Sequence, residues 1–241
     1  MANAVLGALF VIYLGLLLQD RFAPARQMPR IGSGWRAWGV FFWVLTVVVN
    51  GALPYVLRPV FAKHHLFDFS GAPEVPAALL GFAAYDLGVY WLHRLWHRVP
   101  FLWRWVHQMH HAPERMDPAG MCFFHPIEIV GLAVASTTFY GFVLGFSPET
   151  GALAGTVFVA FGMFQHSNLS TPRWLGYVVQ RPEQHGVHHQ RDVHGGNYSD
   201  LPLWDLLFGT FENPASWNEQ AGIEDGALKK WRALLAGRRL S

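Results

Sequence analysis

Long apolar stretches separated by arginine-bearing segments leave this 241-residue chain few ways to fold. Runs over 4–18, 35–57, 75–92, 126–146 and 150–165 each approach the roughly 20 residues that a helix needs to cross a hydrocarbon core. In lipid every backbone N–H and C=O must be satisfied within the segment, so such runs become helices. The expectation is an all-α, polytopic membrane protein with about four to five transmembrane helices, residues 1–241 forming a single membrane-embedded domain. The first run is short and lacks a basic leader and a small-residue cleavage site, so it reads as a retained anchor.

The arginines set the orientation, because basic loops stay on the cytoplasmic side. Arg21, Arg26, Arg30 and Arg36 follow the first run, Arg94, Arg98, Arg104 and Arg115 the third, and Arg173, Arg181 and Arg191 the fifth. Only Arg58 and Lys63 follow the second run, and the turn at 147–149 has no basic residue. Five crossings with the amino terminus outside satisfy this pattern. They place segments 93–125 and 166–211, and the carboxyl terminus, on the cytoplasmic face as a histidine-rich helical cap. Tryptophans 91, 96, 103 and 105 mark the interface, and Pro100 should break the helix there and start a short interfacial one over 101–111. A formal charge of +2, with arginines spread along the chain, gives no nucleic-acid surface. The single cysteine, Cys122, excludes an internal disulfide framework and a cysteine zinc site. Lys229, Lys230, Arg232, Arg238 and Arg239 read as a solvated or headgroup-facing carboxyl-terminal helix.

The chemistry lies in thirteen histidines. His93 and His97 stand at i and i+4, on one helical face with Asp86 and Tyr90. His107, His110 and His111 repeat the spacing at i, i+3 and i+4, as do His185, His188 and His189. His166, at the end of the fifth run, is a ninth candidate, because an ionisable group at membrane depth needs a partner. Nine imidazoles exceed the six positions of one octahedral metal, so two metals are implied. Neutral imidazole suits iron, zinc, copper and nickel. No glutamate stands three residues before a histidine, and His-Glu-x-x-His is missing, which removes the carboxylate di-iron bundle and the usual zinc protease. A bis-histidine haem protein and a divalent-metal transporter are the alternatives. The first needs single histidines on facing helices within the bilayer, the second ligands near the midplane on broken helices.

The order of these motifs resembles the fatty acid hydroxylase superfamily, specifically its sterol desaturase-like bacterial branch. The match runs over about 80–212: Asp86, Tyr90, His93 and His97; His107, His110 and His111; His125 to Glu128; His166 to Asn168; His185, His188 and His189; and a closing Asn197-Tyr198 to Phe211. The resemblance implies two iron ions, dioxygen as co-substrate, a lipid (sterol, fatty acyl or related) taken from the bilayer and hydroxylated or desaturated, and electrons from a separate donor protein. It also implies a bacterial inner membrane. Fatty-acid 2-hydroxylases of this family carry a second histidine one turn after the place of His166, where this chain has Ser170, so one metal is a ligand short. His125, Asn168, His194 or water are the candidates to complete it. Asp86 is the foremost candidate to accept a ligand imidazole's N–H, with Glu128 and Asp205 of the same kind.

Overall fold

The computed structural model describes residues 2–240 apart from Ser33 and Ala62, the side chains of residues 2–6 and of Arg58 also lying outside the described set. Among the described residues there is no strand, only one isolated bridge between Gln190 and Ala221. Three long helices come first: α1 (Ala2–Phe22), α2 (Trp35–Phe61) and α3 (Glu74–Arg98). Proline then punctuates the chain. It occupies the first position of α4 (Pro100–Leu102), α5 (Pro126–Thr137), α6 (Pro148–Gln165), α7 (Pro182–His188) and α8 (Pro202–Phe208). At that position its missing N–H costs nothing and its fixed φ suits the helix. A short α9 (Trp231–Leu235) closes the chain.

Three stretches are long and apolar enough to cross a membrane: α2, α3 and the continuous Pro126–Val143 segment formed by α5 and a π-helical turn, Thr138–Val143. The helix α6 spends its ends on Pro148, Glu149 and Gln165, which takes it below that measure. The four to five crossings expected from sequence are thus three by length and composition among the described residues. α6 packs against both α1 and α3, and α2 against α5. One apolar core joins Tyr13, Phe42, Trp43, Phe123 and Met163 between α1, α2 and α6, and a second joins Tyr85, Val89 and Tyr140 between α3 and the end of α5. The outer faces stay apolar and exposed at Phe41, Val48, Val56 and Leu80, as lipid-facing surfaces do.

Two departures from the sequence reading matter for the site. Only 100–102 after Pro100 are α-helical; Trp103–His107 widen into a π-turn, Gln108 N–H donating to the Trp103 carbonyl at 2.7 Å. The carboxyl-terminal segment is not simply solvated. Leu234 is fully buried, and the tail docks on Gln108, whose amide donates to the Arg238 carbonyl at 2.8 Å and accepts from Leu240 N–H at 3.1 Å.

The loop after the second histidine cluster is pressed against α2 at Gly39, where an added Cβ would lie 2.6 Å from the Cα of Ala119. Gly51, on the same helix, has nothing within 4 Å of such a Cβ. Gly39→Ala is expected to cost about 1–3 kcal/mol through overpacking. Gly51→Ala should hold or raise stability, because alanine is the better helix former. Thermal unfolding of the two variants in one detergent checks this.

Candidate metal centre

The nine histidines of the three clusters and of α6 meet in two groups. His93, His97, His107, His111 and His188 form the first, and His110, His166, His185 and His189 the second; within each group the nearest ring nitrogens all lie within 4.8 Å of one another. The two groups adjoin, the rings of His111 and His189 stacking at 4.0 Å. Each His-x-x-His-His motif is divided between them. On a helix the third and fourth residues after a histidine project about 100° apart. The i and i+4 imidazoles therefore enter one group and the i+3 imidazole the other. His107 and His111 join the first group while His110 crosses to the second; His185 and His189 join the second while His188 crosses to the first.

Hydrogen bonds at the outer nitrogens dictate what the inner ones carry. His166 Nδ1 donates to the Gly162 carbonyl at 2.9 Å, and His185 Nδ1 to Gln180 Oε1 at 2.7 Å. The Gln180 amide is fixed in that sense because its nitrogen donates to the carbonyls of Asn197 and Ser199. Both rings are then bare acceptors at Nε2, yet those two atoms face each other at 3.2 Å with no proton to share. The first group repeats the pattern. His93 Nδ1 donates to the Tyr198 carbonyl at 2.8 Å, His188 Nδ1 to the Gly196 carbonyl at 2.7 Å, and His107 Nδ1 to Glu128 at 2.7 Å. The Nε2 atoms of His93 and His107 stand 2.8 Å apart, and that of His188 is buried without a partner. His97 Nε2 and His110 Nδ1 are buried without partners as well.

Protons do not fill these gaps. Burial, and then the neighbouring imidazoles, push His107, His110, His111, His185, His188 and His189 well below the ordinary value of 6.5. Convergent lone pairs on neutral imidazoles, each ring oriented by a bond at its far nitrogen, are the donor set of a transition-metal ion. The residues present fit two such ions.

The family model for fatty acid hydroxylase matches residues 78–210, more than half of the chain and all nine of these histidines. The chain belongs to the fatty acid hydroxylase family. It is 29% identical over 191 residues to the ornithine lipid hydroxylase OlsE of Rhizobium tropici, covering 77% of this chain and 57% of that protein. It is 31% identical over 221 residues to a Delta(7)-sterol 5(6)-desaturase of Gibberella zeae, covering 88% and 64%, and 29% identical over 136 residues to alkylglycerol monooxygenase of Homo sapiens, covering 54% and 29%. The chain thus spans less than two thirds of the length of each. No solved structure matches it.

Around the histidines of this family member, the polar residues divide differently from expectation. Glu128 alone of the four carboxylate and phenol candidates touches a ligand-group imidazole through its side chain, at His107. Asp86 contacts none: its oxygens accept from the backbone N–H groups of Asp200 and Leu201, both at 2.9 Å. Asp205 accepts from Tyr198 N–H, Ser199 N–H and the hydroxyls of Ser199 and Thr210. These two carboxylates hold the loop whose Tyr198 carbonyl orients His93. Tyr90 bonds Thr210 at 3.0 Å and accepts from Arg94 at 2.6 Å.

Of the residues considered for completing the second group, none enters it. His125 caps α5, Nδ1 accepting from Ile127 N–H at 3.1 Å and Nε2 donating to the Leu235 carbonyl at 3.3 Å. Asn168 is bound to Asp20 and Arg26, at the end of α1 and just beyond it. His194 lies 3.2 Å from the outer nitrogen of His111, against the first group, and burial pushes it to about 4. Gln180 was not foreseen. It reads in the sequence as a loop residue before Arg181-Pro182, and only its five-residue distance from His185 hints at its role.

The depressed imidazoles outside the membrane-spanning segments, those six and His194, give the metal-free fold a defined pH response. Below 6.5 the unfolded chain takes up protons on them and the folded chain does not, so stability falls as pH falls through that value. Each imidazole that stays neutral adds a slope of about 1.4 kcal/mol per pH unit. Chelator-washed protein should lose thermal stability steeply between about pH 7 and pH 5, whereas a flat profile would mean that the rings are protonated and paired in the fold.

Proposed function

We propose that this chain is a membrane-bound non-haem di-iron oxygenase that hydroxylates or desaturates a lipid, using dioxygen and electrons from a separate donor protein. The observation that carries the reading is the pair of adjoining all-imidazole groups, with the bare Nε2 atoms of His166 and His185 opposed at 3.2 Å and no proton between them, and with ring nitrogens of His97, His110 and His188 buried without a partner. Family membership supports the reaction class, since relatives are described as a lipid hydroxylase, a sterol desaturase and a monooxygenase. The three membrane-length helices support a substrate drawn from the bilayer. The arginine pattern supports a centre on the cytoplasmic side of an inner membrane.

Iron held by these residues supplies the oxidising power for an unactivated C–H bond, and the protein supplies place and surroundings. Gln180, Glu128 and the carbonyls of Gly162, Gly196 and Tyr198 fix the rings, so that the donor set exists before an ion arrives. Seven of the nine histidines are buried and the two from α3 only partly exposed, with His97 Nε2 itself buried, which keeps bulk water out. Ring centroids 4.0–4.5 Å apart at His111–His189, His166–His185 and His93–His188 leave no disc-shaped gap for a porphyrin between them, which weighs against the haem alternative.

Elemental analysis of detergent-purified protein from iron-replete cells tests the metal. About two irons per chain are expected, and about one in His185→Ala, which removes a donor from the second group alone. Zinc in place of iron, or metal content indifferent to the substitution, would sink the di-iron reading. Mass spectrometry of host lipids under labelled dioxygen tests the reaction: a species gaining one labelled oxygen means hydroxylation, one losing two hydrogens means desaturation, and both should vanish in the variant.

A further inference from the structure

On the same side of the bundle as the histidines, the ends of α1 and α2 and the segment between them enclose a basin of about 480 Å³ that the metal chemistry does not use. Five arginines line it: Arg21, Arg26, Arg30, Arg36 and Arg115. Two carboxylates answer them. Asp20 takes Arg36 at 3.0 Å and Arg115 at 2.8 Å, and Asp117, behind the wall, takes Arg115 and the Trp35 indole N–H. Arg26 spends its guanidinium on the carbonyls of Ser167 and Leu169 and the Asn168 side chain, all neutral groups. Arg21 and Arg30 form no ion pair among the described residues. Five guanidiniums against two carboxylates leave a concentrated positive excess in a recess, where the field is stronger than on an open surface.

We propose that this basin is an anion site that takes a phosphate-type group. Guanidinium forks match phosphate oxygens two at a time, and several arginines converging from different segments suit a multiply charged tetrahedral anion better than a single carboxylate. The basin sits where α1 leaves its apolar run and α2 begins its own, with Trp35 in its wall and Trp38 exposed beside it, the depth at which lipid headgroups lie. It also touches the metal centre at one remove. Arg26 grips the three residues that follow His166, so an anion on the arginines braces the chain that delivers a second-group imidazole. The phosphate can come from an acidic phospholipid or from a free ion in solution.

The test uses the full chain in phosphatidylcholine nanodiscs, in nanodiscs containing phosphatidylglycerol, and in the former titrated with inorganic phosphate against chloride of equal ionic strength. The readout is the thermal midpoint, which does not depend on turnover, compared at one fixed iron content across all samples because bound metal itself raises it. Occupancy at about a hundred times Kd should raise it by roughly 5 °C. The rise should disappear in Arg21→Gln/Arg30→Gln, which removes the two arginines without ion pairs and leaves the Asp20 network in place, and persist in Lys229→Gln/Arg232→Gln, which removes two exposed charges elsewhere. A rise with inorganic phosphate assigns a free ion; a rise with phosphatidylglycerol alone assigns a headgroup. No rise with either in the unsubstituted protein, or equal loss in both double variants, would overturn the site.

Discussion

Two bare imidazole nitrogens pressed against each other in a water-poor interior are a liability that a fold must answer with a positive charge. An unpaired buried acceptor costs about 1–3 kcal/mol, and this chain gathers buried ring nitrogens without a partner on His97, His110 and His188 beside the facing pair of His166 and His185. What keeps the protons off the facing nitrogens is the set of acceptors behind the rings. Two come from distant parts of the chain, the Tyr198 carbonyl behind α3 and Glu128 of α5 behind the π-turn, while Gln180 and the Gly196 carbonyl flank α7 and the Gly162 carbonyl lies one turn before His166. The tertiary structure around the cap is therefore also the device that sets the tautomers.

Dividing each His-x-x-His-His motif between the two groups ties these parts together. His110 leaves a turn whose other histidines serve the first group, and His188 leaves a helix whose other histidines serve the second. Neither group can move without dragging the other. The loop at 196–201 carries two of the orienting carbonyls and has no regular structure of its own, so buried carboxylates do the work of a sheet or helix. Asp86 takes its N–H groups from α3, and Asp205 takes them from the first turn of α8. Burial raises the carboxyl of Asp205 above its ordinary range, the cost of placing such an acceptor beside an apolar bundle.

The helical class and the nine histidines are legible in the chain because both follow from local periodicity: apolar runs of membrane length, and imidazoles at i, i+3 and i+4. The division of each motif is legible too, in the 100° between i+3 and i+4, but only once two centres rather than one are sought. Of the five orienting groups only Glu128 is. Three are backbone carbonyls, which have no sequence identity, and Gln180 acts across a turn. Asp86 shows the converse. Its place on the histidine face of α3 suggests an imidazole partner, yet two backbone N–H groups of a loop more than a hundred residues away claim it, because an irregular buried loop has donors that must be satisfied. The π-turn at Trp103–His107 likewise has no local signature beyond Pro100, while the five prolines that open helices do announce their starts.

The carboxyl-terminal tail closes one side of the centre. Gln108, between His107 and Met109, is wholly buried and receives the tail at both its amide atoms, and His125 receives the Leu235 carbonyl. Gly237, at φ 59°, lets the tail lie on the Trp105 ring, where a Cβ would come within 2.3 Å. These contacts close the cap away from the bundle around the second histidine motif. The opposite side differs. There α3 turns Trp91 and Leu95, exposed and apolar, away from the face that carries His93 and His97, and α8 adds exposed Leu203, Leu206 and Leu207 beside it. The cap is thus closed by the chain's own tail on one side and carries its exposed apolar surface on α3 and α8, so the same burial that holds the imidazoles neutral is completed by segments more than a hundred residues apart.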